Sequence, residues 1–162
     1  MTNVEFYVTT TIAVIFISCC ALILTVWQGY LSRKHNQLSL RPALSSWSLY
    51  NSDRYTHKIM NKGHGTAIIS EFHFIIDNKM VSYSEFEKDI YEFSEAFGKC
   101  RISILAFTKE NFMSAGEAFN VVDIKFDEIL DLEFFNELSK RYGLKIRYDC
   151  LYGNSFEFIQ RW

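Results

Sequence analysis

The sequence predicts one membrane-spanning helix followed by a mainly-β sandwich with two inserted helices, and an α+β layer is the alternative arrangement of the same elements. Three observations lead there. The run Phe6–Tyr30 holds 25 residues without a charge. Beyond Pro42, most apolar residues alternate with polar ones, the period of half-buried strands. At Tyr83–Phe97, and again from about Asp127 to Tyr142, the apolar residues recur at helical spacing instead. These patterns divide the 162 residues into a short tail (1–5), a membrane helix (6–31), a basic juxtamembrane segment (32–41) and a soluble β-sandwich domain (42–162). Aromatic residues make up 17% of the chain, which supplies the apolar surface a packed domain needs to offset ordering entropy.

As a helix rising about 1.5 Å per residue, the uncharged run is roughly 37 Å long, enough to cross a ~30 Å hydrocarbon layer with some tilt. It exceeds the apolar core of a cleaved signal peptide, and its head, MTNVE, has no Lys or Arg. Phe16-Ile17-Ser18-Cys19 loosely resembles a lipoprotein box, which would make the chain a periplasmic lipoprotein. However, Phe16 fits that box poorly and the apolar run continues to Trp27. The expectation is therefore an uncleaved anchor with the lipid bilayer as its first partner. Thr9, Thr10, Thr11, Ser18 and Thr25 can bond back to helix carbonyls and so remain compatible with insertion. Trp27 and Tyr30 fall where interfacial aromatics sit, and Arg33 and Lys34, with Arg41 beyond, form the basic flank. That asymmetry predicts the N-terminus outside and the folded domain in the cytoplasm.

The flank RKHNQLSLRPAL resembles the juxtamembrane stretch of a widespread group of bacterial single-pass membrane proteins, which has the form RxHNxLSVRP. In that group an extended segment and a turn of the form N-x-G-x-G-P-A-x-I follow. Asn61-Lys62-Gly63-His64-Gly65-Thr66-Ala67-Ile68-Ile69 matches, with Thr66 in the place of the group's proline. The resemblance covers about residues 10–80 and only the general strand pattern beyond. It implies a bacterial inner-membrane location and an immunoglobulin-like sandwich, and it brings no catalytic residues with it.

Within the domain, Ala43–Tyr50 and Arg54–Met60 read as the first two strands, joined by the turn Asn51-Ser52-Asp53. Thr66–Ile76 is the strongest strand signal and closes at Asp77-Asn78-Lys79. Tyr83–Phe97 is an amphipathic helix, with Ser82 or Ser84 to cap its start and Gly98 to end it. Its other face carries Glu85, Glu87, Asp89, Glu92 and Glu95; a solvated face is the simpler reading and a dock for a basic partner the sharper one. Arg101–Phe107 and Glu117–Phe126 are strands around a loop, 108–116, whose Phe112 and Met113 are candidate partner contacts. A second helix, capped by Asp127 or Asp131 and including Leu130, runs to Tyr142 with Gly143 as its C′ residue. Leu144–Tyr152 and Ser155–Ile159 form a closing hairpin about a Gly153-Asn154 primed turn.

Chemistry is sparse. A net charge of −2 and the lack of a basic block outside the flank exclude the electrostatic footprint of nucleic-acid binding. His57, His64 and His73 lie within 17 residues of an expected hairpin and are the only metal candidates, without the cysteines or fixed spacing of a zinc site. Asp123, Asp127, Glu128 and Asp131 read as capping and dipole compensation. Cys100 and Cys150 read as buried thiols, and Lys99 and Arg101 beside Cys100 would lower its pKa. No phosphate loop or hydrolase motif occurs, so no cofactor is expected. The expectation is a non-enzymatic, membrane-anchored interaction or scaffold module serving an unidentified protein partner, possible contexts being a larger assembly or a defence or stress system. A membrane-associated metal-dependent enzyme is the alternative.

Overall fold

The structure, a computed structural model, describes residues 3–129 and 132–162, and for residues 3–6 the backbone alone. The expected roles of Leu130 and Asp131 lie outside what is described. Two compact units result, the N-terminal helix and Leu40–Trp162.

The first unit is α1, Asn3–Ser39. From Tyr7 to Ser39 it is long enough to span a membrane, and its most apolar 18-residue window has a mean hydropathy of 2.3 and none of its residues buried. Thr11, Ser18 and Thr25 each donate to the carbonyl four residues back, Tyr7, Val14 and Ala21, at 2.8 Å. Their hydroxyls are thus satisfied inside the helix, as a lipid environment requires. The helix continues beyond the expected membrane segment (6–31) and includes most of the basic flank.

The second unit is a two-sheet, antiparallel, mostly-β domain. Its elements are β1 (Leu44–Asn51), β2 (Arg54–Asn61), β3 (Ala67–Ile76), β4 (Lys79–Val81), α2 (Tyr83–Glu95), β5 (Cys100–Ile104), β6 (Phe112–Met113), β7 (Ala118–Phe126), α3 (Leu132–Arg141), β8 (Tyr142–Asp149) and β9 (Ser155–Arg161). One sheet has the order β1-β2-β7-β5; the other has β4-β3-β8-β9, with β6 also paired to β3. The short β4 and β6 lie outside the expected strands. Neither spans enough residues to show a period of two, and each forms by pairing with β3.

Alternation explains the core. Tyr55 and Ile59 of β2, and Val122 and Ile124 of β7, face Ile69 and Phe74 of β3 and Leu144, Ile146 and Tyr148 of β8. The β2–β7 register slips between His57 and Lys58, which leaves Val121 without an opposite residue, and Val121 and Val122 are both buried. α2 begins with a Ser82–Glu85 capping box and buries Phe86, Ile90 and Ser94. Phe86 stacks on Phe74 at 3.8 Å between centroids, and Phe134 of α3 meets Phe93, Phe97 and Phe126.

Two turn expectations are corrected. Gly143 is not a helix C′ residue, because the chain passes from α3 directly into β8, where Gly143 pairs with Ile75. A Cβ there would lie 2.7 Å from the Gln160 carbonyl oxygen, so close strand approach is what uses the missing side chain. The closing hairpin turns through Cys150–Asn154, with the Cys150 N–H on the Asn154 carbonyl and only Gly153 at positive φ. A two-residue primed turn does occur, at Asp77-Asn78 between β3 and β4, where φ is 48° and 68°.

Candidate functional site

Asn61 ends β2 and is fully buried. Its Oδ1 accepts from the backbone N–H of Ala43 (3.1 Å) and of Gly63 (3.0 Å). Its Nδ2 donates to the carbonyls of Gly65 (2.7 Å) and Met113 (3.0 Å). Both donors and both lone-pair positions of the amide are used, which is what makes burying it tolerable. The two glycines that follow allow the segment Leu40–Ala43 to lie against this turn. A Cβ on Gly63 would stand 2.4 Å from Ala43 N and Arg41 O, and one on Gly65 would stand 1.7 Å from Leu40 O. The LRPA and N-x-G-x-G stretches are therefore two halves of one clamp. Each was visible in the sequence; that they meet was not.

A cleft of about 320 Å³ opens between the β1–β2 hairpin, α3 and the end of β9. Its lining includes Trp47, Tyr50, Tyr55, Phe135 and Trp162, and the rings of Tyr50 and Phe135 lie 5.1 Å apart. At the bottom, Ser48 Oγ is 2.9 Å from the Tyr55 hydroxyl and 3.0 Å from His57 Nδ1. His57 is only 1% exposed and stacks on Trp162 at 4.9 Å. Burial lowers its pKa to about 4, so the imidazole is neutral at pH 7. Burial raises the Tyr55 pKa, against the opposing effect of the Ser48 hydrogen bond. Neither His57 Nε2 nor Trp162 Nε1 has a hydrogen-bond partner among the described residues. A neutral Ser–His–Tyr chain of this kind can orient a polar ligand. It supplies no charged base near pH 7.

The metal candidates do not converge. His57 lies in the first sheet and His73 in the second, because the chain crosses between sheets at the clamp; His64 is exposed on that turn. The hairpin expected to bring the three histidines together therefore does not form, since β2 and β3 belong to different sheets. Among the described residues, no group of three or more His, Cys, Asp or Glu side chains is placed to hold a metal. Asp123 instead pairs with Arg54, and hydrogen bonding from that guanidinium holds its carboxyl below the usual range.

The contact pair also splits. Phe112 is 60% exposed, but Met113 is 0% exposed and belongs to the core, since adjacent residues of a strand point to opposite faces. Met113 is therefore withdrawn as a contact residue. Cys100 is corrected in direction: burial, then Glu95 and Asp127, raise its pKa, outweighing its basic sequence neighbours. All four cysteines are free. Trp27, Tyr30, Arg33 and Lys34 are exposed on α1. The cleft residues Ser48, Tyr55 and Trp162 were missed as a set. The available signal was the serines of β1, placed where an edge strand would otherwise carry apolar side chains.

The chain matches no protein-family model and no curated protein. Among solved structures it is similar to the archaellum periplasmic stator protein FlaG from Sulfolobus acidocaldarius, with 12% identity, coverage of 74% of this chain and 99% of that one, and a TM-score of 0.28. A superposition that loose carries no argument about function.

Proposed function

We propose that this chain is a membrane-anchored interaction module, a bilayer-spanning α1 presenting a β-sandwich to a protein partner on the cytoplasmic side of a bacterial inner membrane. The observation that carries the reading is the uncharged run of 25 residues within α1, whose most apolar window has none of its residues buried and whose Thr11, Ser18 and Thr25 hydroxyls are satisfied within the helix. The helix is unbroken through Cys19, which favours an anchor over a lipoprotein. Orientation rests on Arg33, Lys34 and Arg41 against residues 1–5, which carry no Lys or Arg.

We further infer that the sandwich is immunoglobulin-like. The support is strand order. Lettering β1, β2, β3 and β4 as A, B, C and C′, and β5, β7, β8 and β9 as D, E, F and G, turns the two sheets into ABED and C′CFG. Such sandwiches bind through edges and loops, and here β1 and β9 are edge strands and Phe112 is an exposed aromatic. The metal-enzyme alternative is not carried forward, because its three histidines lie apart.

Photo-crosslinking residues at Leu49, Phe112 and Ile159, in membranes of cells producing the full chain, test the reading. The expected result is an adduct with one recurrent protein at one of these sites and none at a control position on β7, Lys125. No recurrent adduct at any of the three sites, in any condition where the chain is made, would contradict it.

A further inference from the structure

The β8–β9 hairpin closes through a tight turn in which the Gly153 N–H donates to the Cys150 carbonyl at 2.9 Å and Gly153 takes a φ of 80°. Leu151 and Tyr152 are therefore the two central residues of that turn. Such positions are dominated by Gly, Pro, Asn, Asp and Ser, which suit turn dihedrals or bond to the local backbone. Here they carry an aliphatic and an aromatic side chain, 67% and 43% exposed. Two adjacent apolar side chains held out at a turn tip call for something that covers them.

Their place in the fold says what. Asp149, at the end of β8, pairs with Ile68 near the start of β3, so the turn lies at the β3 start. Just before β3, Gly65 abuts Leu40, and Leu40 directly follows Ser39, the last residue of α1. The exposed Arg41 sets its guanidinium 4.5 Å over the ring of Phe156, the second residue of β9 after the turn. The carboxylate of Asp149 accepts the Ser155 hydroxyl. Because Asn61 also holds Ala43, the segment from Leu40 to Ala43 is not a slack tether. The end of the domain that carries Leu151 and Tyr152 is thus the end that the chain enters from α1. The stretch of α1 from Tyr30 to Ser39 rises roughly 13 Å, and helix tilt shortens that along the bilayer normal. The layer within reach is the headgroup region, where a tyrosine ring finds both an apolar and a polar neighbour and an arginine finds lipid phosphate.

We propose that the Leu151–Tyr152 turn is a second membrane contact, inserting into the headgroup layer of the bilayer that α1 crosses, with Arg41 beside it at the lipid phosphates. The proposal rests on the anchor reading of α1 and leaves the β1 and β9 edges to a protein partner.

The test places benzoylphenylalanine, one position at a time, at Leu151, Tyr152, Ile17 and Met80 of the full chain. Each variant is reconstituted in nanodiscs of phosphatidylethanolamine and phosphatidylglycerol, irradiated, and weighed intact by mass spectrometry. Met80, next to the β3–β4 turn at the other end of β3, is 60% exposed and serves as the apolar control. A phospholipid adduct is expected at Ile17 and at Leu151 or Tyr152, at least fivefold above the yield at Met80. An adduct at Ile17 with none at Leu151 or Tyr152 overturns this proposal and leaves the anchor standing. The absence of adducts at Ile17, Leu151 and Tyr152 alike overturns both. A Met80 yield equal to that of the turn, or adducts at the turn with the mass of a second chain in place of lipid, also overturns the proposal.

Discussion

Replacing Asn61 by Ala deprives two backbone N–H groups and two carbonyls of the amide that now joins them. Buried groups left unpaired cost about 1–3 kcal/mol each, with part recovered by relaxation. Asn61→Ala is therefore expected to lose about 3 kcal/mol or more, read by urea unfolding of the full chain in micelles; a loss below about 1 kcal/mol would show that the clamp is decorative. His57 gives a prediction with a sign. Its folded pKa is lowered to about 4 by burial, while in the unfolded chain it is about 6.5. As pH falls, the unfolded state takes up the proton first. The stabilisation is complete above about pH 6.5 and is lost progressively toward pH 4, roughly 3 kcal/mol in all. The groups against the ring, Ser48, Tyr55 and Trp162, do not change charge in that range. The difference in unfolding free energy between wild type and His57→Phe should therefore shrink steadily from pH 7 to pH 4.5. A pH-independent difference would mean that the imidazole is hydrated in the folded protein.

Helix α2 shows how a short element is secured. Ser82 Oγ accepts the Glu85 N–H, and the Glu85 carboxylate accepts the Ser82 N–H at 2.9 Å. That backbone hydrogen bond is the main reason the Glu85 carboxyl sits below its ordinary pKa. Ser82→Ala is expected to cost about 1 kcal/mol, and the Ser82→Ala, Glu85→Ala double variant to cost less than the sum of the singles, because the box acts as one unit; strict additivity in the unfolding data would contradict this. At the clamp, Gly65→Ala is the harsher change, since its Cβ meets backbone rather than a movable side chain. It is expected to prevent a cooperative thermal transition altogether. The elements themselves were legible from residue pattern. The uncharged run marks α1, the Phe86, Ile90 and Phe93 spacing marks α2, and alternation marks the long strands. What stayed hidden depends on distance in space. Two-residue β6 forms because β3 is beside it, and Ser48, Tyr55 and Trp162 converge only once β9 closes over the β1–β2 hairpin. The separation of His57 from His73 has the same cause, since local sequence suggests a hairpin where the chain instead changes sheets.

The molecule joins two solvents' worth of chemistry in one chain: α1 carries an uncharged, apolar run of membrane-spanning length, and Leu40–Trp162 buries its own apolar residues between two sheets. On this account α1 is an anchor whose basic C-terminal flank fixes the direction of insertion. A lysine at Ile17, near the middle of the uncharged run, should raise the insertion free energy by about 3 kcal/mol and move part of the chain out of the carbonate-resistant membrane fraction. Removing positive charge from the flank (Arg33→Gln, Lys34→Gln and Arg41→Gln together) should blur orientation without affecting membrane association. The most direct measurement of the central claim is a pair of topology reporters, one active only in the cytoplasm and one only outside it, each fused after Trp162 of the full chain. The account predicts activity from the cytoplasmic reporter alone, and activity from the external reporter alone would contradict it.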